Sequence, residues 1–443
     1  MRERWNQLLA AFSGQGMLGV LLLVCVLLSA ATVVREEPTG PLAGTRLAQA
    51  VLARFGPTAS VLVVAGEGAE NQALAESLRR GMIQGGITPV AVVVGDPVDT
   101  RHELEALSRA GTVLDAIACS SEVPDWLVLR DLPRLFPVLG TPALIVPDGS
   151  AWPRFLTREN LLNIMGQITV IAIVAVGMTL VVVVGGIDLS VGSLIGLSAI
   201  VCADWISRHG GGENAGVGSM VVGGLLAVVL CGAVGTAHGT LVALLGAPPF
   251  LVTLGVMLMA RGTAQEMTNG ESIANLPERF VWLGRDTTWG MPNGVLLMLG
   301  LFVAAGLMLR WTVLGRHMLA VGGNIRAARL AGVPVNRVMV TAYTLCGLLA
   351  GLGGVVLASQ LKSASPTYGE GYELMVIASV VVGGTSLAGG QGGLFGTLVG
   401  ALLIAVINNG MNLLGISPFA QKIVLGSVIL MAVLLDRLRR RGS

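Results

Sequence analysis

The sequence predicts a polytopic α-helical membrane protein of about ten spans, with a small external α/β domain inserted between the first and second spans. The 443 residues are 53% hydrophobic and only 12% charged, and they include 62 glycines. This composition is too apolar for a soluble globular chain of this length. Ten apolar runs give the ten spans, and a polar stretch after the first run gives the inserted domain.

The first apolar run, residues 17–34, follows Arg2 and Arg4 and is long enough to cross a bilayer. The sequence Leu28-Ser-Ala-Ala also resembles a signal-peptidase site, so cleavage is the alternative. We expect the run to be retained, because a long segment precedes it and its apolar character continues past the alanines. Residues 1–35 are therefore predicted to form a cytoplasmic N-terminus and the first transmembrane helix.

Residues 36–152 have a different character. Charged residues return, and strand-like runs such as SVLVVAG (60–66) and ITPVAVVVGD (87–96) alternate with helix-like runs such as ENQALAESLRRGMIQGG (70–86). Alternation of this kind favours an α/β domain with a mainly parallel sheet of about three to five strands.

Residues 153–443 are predicted to form a transmembrane domain. Arginines concentrate in the loop 310–337 and at the C-terminus, on the same side of the predicted spans as Arg2 and Arg4. By the positive-inside rule that side is cytoplasmic, so both termini are expected inside and the inserted domain outside. The nine further spans are predicted at 163–184, 189–207, 217–245, 250–269, 294–310, 338–358, 372–388, 396–415 and 420–435.

One carboxylate, Asp188, lies within the apolar sequence VVVVGGIDLSVGS. An ionised group in hydrocarbon is costly and marks either a functional site or a helix boundary. Gly185 and Gly186 predict the end of one helix, and either Asp188 or Ser190 is expected to cap the next one.

The motif around Asp188 has an echo later in the chain. VVVVGGIDLSVG (181–192) is matched by SVVVGGTSLAGG (379–390), which contains Gly383, Gly384 and Ser386. In transporters, paired segments interrupted by glycine point to the substrate path or the gate. We therefore take these residues together with Gly185, Gly186, Asp188 and Ser190 as candidates for the path or gate; chance recurrence in a glycine-rich chain is the alternative.

Other polar residues in predicted spans have two possible roles. Arg261 is expected either to face the bundle interior, where it could pair with Asp188, or to extend to the membrane surface. Asn408 and Asn412 lie four residues apart on one helix face, with Asn409 beside them. These amides suit sugar hydroxyls, although bonding between helices is the commoner use.

The residue pattern argues against several classes of function. Neither Lys362 nor Lys422 lies in a G-x-x-x-x-G-K-[ST] sequence, so no phosphate-binding loop is predicted in this chain. No cofactor, metal site or nucleic-acid partner is expected, because no metal-ligand spacing and no basic patch with aromatics is present. His102, Cys119 and Ser120 give no catalytic pattern, so an enzyme is not predicted.

Four long segments carry a resemblance to a known family. They begin FLTRENLLNIMGQITVIAIVAVGM (155), GAPPFLVTLGVMLMARG (246), GRHMLAVGGNIRAARLAGVPVNRV (315) and GEGYELMVIASVVVGGTSLAGG (369). Together they closely resemble the membrane permease of ribose-type ABC importers. The resemblance implies a permease homodimer in the plasma (inner) membrane, cytoplasmic ABC ATPase subunits and an external sugar-binding protein. The insert departs from the usual pattern, as does His238, where the family usually has Asn.

Within the loop 310–337, the sequence NIRAARLAGV resembles the coupling helix that ABC permeases insert into a cleft of the ATPase. Small residues permit a close approach, a glycine ends the helix, and arginines offer charge to an acidic rim. A basic loop that serves only topology is the alternative. The predicted coupling residues are Gly323, Asn324, Arg326, Ala327, Ala328, Arg329, Ala331 and Gly332.

The predicted function is therefore a non-enzymatic permease subunit of an ATP-driven importer for a monosaccharide, a ribose-like pentose or a hexose. Permeases for nucleosides, autoinducer-type sugars or branched-chain amino acids remain alternatives, as does a membrane receptor with an external sensing domain. The strand and helix order of the insert loosely resembles one lobe of a periplasmic sugar-binding protein. Because one lobe lacks an opposing face to bury a sugar, the insert is expected to dock partners rather than to bind ligand alone.

Overall fold

The computed structural model describes residues 16–35, 38–147, 149 and 151–442. These residues fall into two compact units. One unit is Val33–Pro153, and the other combines the chain up to residue 32 with the chain from residue 154 onward.

The unit Val33–Pro153 is built on a four-stranded parallel sheet in the order β3-β2-β4-β5. In register, Leu62 of β2 lies opposite Ala91 of β3 and Ile117 of β4. A separate antiparallel pair, β1 with β6, joins the two ends of the unit. The strands are β1 Val33–Arg35, β2 Val61–Ala65, β3 Ala91–Val94, β4 Ala116–Cys119, β5 Ala143–Ile145 and β6 Ala151–Pro153.

Helices cover both faces of this sheet, so the central strands are buried on both sides. Every residue of β2 and β4 is buried, which explains their unbroken apolar sequences. Asp96 starts one helix with a capping box, since its side chain accepts from the N–H groups of Val98 and Asp99. The helices are α2 Gly40–Phe55, α3 Ala69–Gln84, α4 Pro97–Arg109 and the short α5 Leu127–Arg130 and α6 Leu132–Leu135.

The second unit is helical apart from a small antiparallel pair, β7 Thr287–Thr288 with β8 Met291–Pro292. Its helices are α1 Gly16–Ala31, α7 Arg158–Val183, α8 Val191–His209, α9 Val217–Leu245, α10 Pro249–Thr268, α11 Asn293–Trp311, α12 Val313–Gly323, α13 Ile325–Leu330, α14 Val335–Leu361, α15 Tyr372–Val382, α16 Leu394–Leu413 and α17 Pro418–Gly442.

Six of the described helices are long and apolar enough to cross a membrane, namely α7, α8, α9, α11, α14 and α16. Each of the ten predicted runs contains a helix, but the span predicted at 372–388 is too long. α15 ends at Val382, and at the rise of an α-helix its 11 residues cover only ~16 Å of the ~30 Å hydrocarbon core. Gly383 and Gly384 end this helix inside the predicted span.

Helices α7, α8, α9 and α14 form the centre of the second unit. Small residues bring their backbones together, as where Gly177 of α7 faces the Cα of Cys346 on α14. Gly235 of α9 lies against the backbone at Tyr343 in the same way. In α7, 83% of the most apolar window is buried, so this helix crosses the interior of the bundle.

Candidate functional site

Asp188 lies between α7 and α8 with its side chain completely buried. Its Oδ1 accepts hydrogen bonds from the backbone N–H of Ser190 at 2.9 Å and from the Ser190 hydroxyl at 2.6 Å. The predicted capping arrangement is wrong in detail, because Ser190 is the N-cap of α8 and its side chain caps no amide. Asp188 bonds to Ser190 itself, within the break rather than to the first turn of the helix.

The second oxygen of the same carboxylate meets His238 of α9. Asp188 Oδ2 lies 3.1 Å from His238 Nε2, and both side chains are fully buried. The imidazole packs edge-on against the Tyr343 ring of α14, with ring centroids 5.3 Å apart. A buried carboxylate is stable only when paired and hydrogen-bonded, and His238 provides this pairing. The sequence marked His238 only as a departure from a family pattern.

The two glycine pairs end their helices in the same way. Gly185 has a φ of +84°, and the N–H of Gly186 donates to the carbonyl of Val181 at 2.9 Å. Gly384 has a φ of +90°, and the N–H of Thr385 donates to the carbonyl five residues earlier at 3.1 Å. Both are Schellman-type helix ends that need a residue able to adopt positive φ. The repeated motif therefore marks the same type of helix end twice. The residue with positive φ is the first glycine of the pair in one copy and the second glycine in the other.

The other residues of the second motif hold its loop together. Gly383 packs so closely on Gly396 of α16 that a side chain on either residue would collide with the other's backbone. The N–H of Ser386 donates to the carbonyl of Gln391 at 3.0 Å, which closes the loop between α15 and α16.

The two helix breaks meet at what we call the glycine junction, formed by Val183, Gly185, Gly322 and Gly390. The N–H of Gly390 donates to the carbonyl of Val183 at 2.9 Å. Gly322, near the end of α12, fits between these two groups, and a Cβ there would collide with both. Gly323 and Asn324 follow directly, so the junction adjoins the predicted coupling helix.

The predicted coupling helix is present as α13, Ile325–Leu330. Asn324 caps it, since its Oδ1 accepts from the N–H of Ala327 at 3.0 Å, and Gly332 leaves it with a φ of +81°. Ala328 is buried against its own chain and is therefore not available to a partner. The exposed face of the segment carries Arg326, Ala327, Arg329 and Ala331, together with Leu330, whose exposure of 91% the sequence did not predict.

Arg261 of α10 points toward the loop between α14 and α15 rather than toward Asp188. Its Nη1 donates to the carbonyls of Pro366 at 2.8 Å and Tyr368 at 3.2 Å. The same loop packs closely on α8, where Gly369 lies against the backbone of Gly192. Arg261 therefore fixes a loop within the bundle.

The asparagine group of α16 bonds to other helices. Asn409 forms a reciprocal amide pair with Asn160 of α7, at 2.8 and 3.0 Å. Asn412 accepts from Gln421 of α17 at 2.7 Å. These contacts match the interhelical use of amides, and they single out Asn409 in preference to Asn408. Within the described residues, no cluster of three or more His, Cys, Asp or Glu side chains is arranged to hold a metal.

In the α/β unit, a small polar cluster lies at the carboxyl ends of β2 and β4. This is the point where the strand order reverses and where open parallel sheets bind ligands. Glu122 occupies that position, since its Oε1 accepts from Asn71 at 2.8 Å and from Ser120 at 3.0 Å. Burial raises the pKa of the neighbouring Cys119 thiol to about 12, with a smaller contribution from the Glu122 charge.

Residues 160–433 match the family described as the branched-chain amino acid transport system permease component. The ribose import permease of Escherichia coli K12 is 46% identical over 288 residues, which are 64% of this chain and 87% of that protein. This chain belongs to that permease family. The ribose import permease of Bacillus subtilis 168 is 42% identical over 313 residues, which are 69% of this chain and 92% of the relative. The L-arabinose ABC transporter permease of Azospirillum brasilense is 37% identical over 303 residues, with coverage of 68% and 85%.

No solved structure matches the chain. The family membership confirms the resemblance inferred from the four sequence segments, and it confirms a transport component in preference to an enzyme. Together with the six apolar helices, it identifies a multi-pass membrane permease. The match begins at residue 160, so it does not include the α/β unit.

Proposed function

We propose that this permease is the membrane subunit of an ATP-driven importer for a monosaccharide, a ribose-like pentose or a hexose. The observation that supports it most is the similarity to ribose and arabinose permeases over 288 to 313 residues of this chain. That similarity favours a sugar over a nucleoside or an amino acid. Two copies form the translocation path, cytoplasmic ATPase subunits bind ATP, and an external binding protein delivers the sugar.

In this mechanism, α13 passes movement of the ATPase to the membrane helices. Its exposed face, with Leu330 and Arg329, meets the ATPase, and its start is fixed by Asn324. The preceding Gly322 is in backbone contact with both helix breaks, so a displacement of α13 acts on the end of α7 and on the loop before α16 together. Small residues at the junction permit that repacking without side-chain collisions.

The proposed topology follows from the distribution of charge. Both termini and the loop 310–337 lie on the cytoplasmic side of the plasma (inner) membrane, and ten helices cross or enter the bilayer. The α/β unit lies outside, where the binding protein arrives. Its polar crevice is already filled by Glu122, which supports docking of a partner or of the twin domain over independent binding of a sugar.

The test is reconstitution of the complete transporter. The permease and its ATPase are reconstituted in liposomes with the ATPase and ATP in the lumen, and the binding protein is added outside. Uptake of labelled ribose, arabinose, glucose and leucine into the lumen is then measured. We expect uptake of one of the sugars only when the binding protein and ATP are both present. Uptake of leucine alone, or no ATP-dependent uptake of any of the three sugars, would contradict the proposal.

A further inference from the structure

A wide groove opens on the outer face of α11 and has a volume of about 690 Å³. One wall is the side of α11 from Leu299 to Trp311, and the other is the first turns of α16 with Phe395. Leu319 of α12 closes one end. The lining is apolar except for Arg310, and Phe395 and Trp311 are largely exposed.

The length of this groove matches one leaflet of a bilayer. At the rise of an α-helix, Leu299 and Arg310 are ~16 Å apart, and half of a hydrocarbon core is ~15 Å. Because α11 is one of the six candidate spans, its apolar wall lies at the depth of acyl chains. Trp311 follows Arg310 where the helix ends, and tryptophan is typical of the level of the headgroups.

The charges at this end of the groove favour an anionic occupant. Arg316 lies one helical turn before Leu319, so both residues share a face of α12. Arg310 and Arg316 are exposed, and neither forms an ion pair with any residue in the described ranges. The sequence contains no Asp or Glu between Asp286 and Glu370. A cation at the membrane surface attracts anionic lipid headgroups.

We propose that the groove binds an anionic glycerophospholipid from the leaflet next to the coupling helix. Its acyl chain lies along α11 between Leu299 and Leu307, and its phosphate is held by Arg310 and Arg316. The floor of the groove includes Gly392 and Gly393, which continue the loop of the glycine junction. A bound lipid therefore stabilises the loop that contacts Val183, and it strengthens coupling between the ATPase and the helix breaks.

Lipid binding is tested on the full chain in nanodiscs made with phosphatidylcholine and increasing phosphatidylglycerol, with bound lipids counted by native mass spectrometry after release. We expect retained phosphatidylglycerol in the wild type and at least fivefold weaker retention in Arg310→Gln/Arg316→Gln. Gly306→Trp, which fills the groove and keeps both charges, should give a similar loss. Arg279→Gln, an arginine outside the groove, is the matched control and should retain the lipid.

Three results would overturn the proposal. Equal retention of phosphatidylcholine and phosphatidylglycerol would show only a general lipid shell, and undiminished retention by Arg310→Gln/Arg316→Gln would remove the headgroup site. Efficient disulfide formation between two chains carrying Val303→Cys, in native membranes, would show that a second copy covers the groove. Because the arginines are exposed, their variants should fold, which gel filtration checks. The lipid-retention measurement requires only that α11 lies in the membrane. Its result is therefore independent of which substrate the permease transports.

Discussion

Asp188 and His238, which are separated by 50 residues in sequence, face each other in the bundle with Oδ2 and Nε2 3.1 Å apart. Both side chains are fully buried, and the other carboxylate oxygen is satisfied by Ser190. The pair joins the first helix break to α9, and through the ring of Tyr343 it also contacts α14. The contact therefore links the break between α7 and α8 to two further central helices, α9 and α14.

Asp188→Asn should keep most of the stability and uptake, because its amide oxygen still accepts from Ser190 and its NH2 group can donate to Nε2 of His238 when the imidazole carries its proton on Nδ1. Asp188→Leu leaves the Ser190 donors and the imidazole without partners, each at a cost of ~1–3 kcal/mol. Thermal unfolding in detergent should show a small shift for Asn and a large one for Leu. Equal losses in the two variants would assign the role to the negative charge itself.

Gly322→Ala should abolish coupling, because the added methyl group collides with the backbones of Val183 and Gly390. We expect uptake at least tenfold lower, with ATPase activity that no longer responds to the binding protein. Gly300→Ala is the matched control, since its methyl group meets no described atom within 4 Å. If Gly322→Ala behaves like Gly300→Ala, the junction does not transmit movement.

Leu330→Glu and Ala328→Glu should fail in different ways. Leu330 is exposed, so its substitution should leave the unfolding midpoint unchanged and weaken ATPase co-purification. Ala328 is buried, so a charge there should lower the midpoint of the permease itself. Loss of ATPase binding by Ala328→Glu without loss of stability would reverse the assignment of faces.

Arg261→Met should destabilise the permease by about 1–3 kcal/mol, because two backbone carbonyls in the loop between α14 and α15 lose their donor. Arg208→Met is the control, since Arg208 is exposed and forms only a surface ion pair with Asp204. The denaturation midpoint should be lower for Arg261→Met than for Arg208→Met. Similar midpoints would show that Arg261 does not fix this loop.

The Cys119 thiol should resist alkylation at pH 8, because burial raises its pKa to about 12 and suppresses the reactive thiolate. Because the pKa of this thiol is higher in the folded than in the unfolded chain, the thiol does not lower the free energy of unfolding below its ordinary pKa of 9.0. That free energy falls as the pH rises from 9.0 toward 12. A charged maleimide with peptide mapping measures the labelling. Val113→Cys, at an exposed position, is the positive control, and labelling of Cys119 at the same rate would contradict the burial.

Local sequence predicted much of this arrangement. Gly185 and Gly186 predicted the end of α7, because only a residue tolerant of positive φ completes this type of terminus, but the matching end of α15 at Gly383 and Gly384 was not predicted. Gly332 likewise predicted the end of α13. The apolar runs predicted where helices lie, but not the length of α15, since hydropathy does not register a helix end inside an apolar sequence.

By itself, the sequence determined the class of protein, the positions of its helices, the alternating order of the α/β unit and the family. These properties follow from composition, periodicity and residues close together in the chain. Only the tertiary structure decided that Asp188 pairs with His238, that Arg261 holds a loop, that Asn409 pairs with Asn160 and that Ala328 faces inward. Each of these outcomes depends on which helix faces are brought together, and packing sets those faces through contacts between residues far apart in sequence.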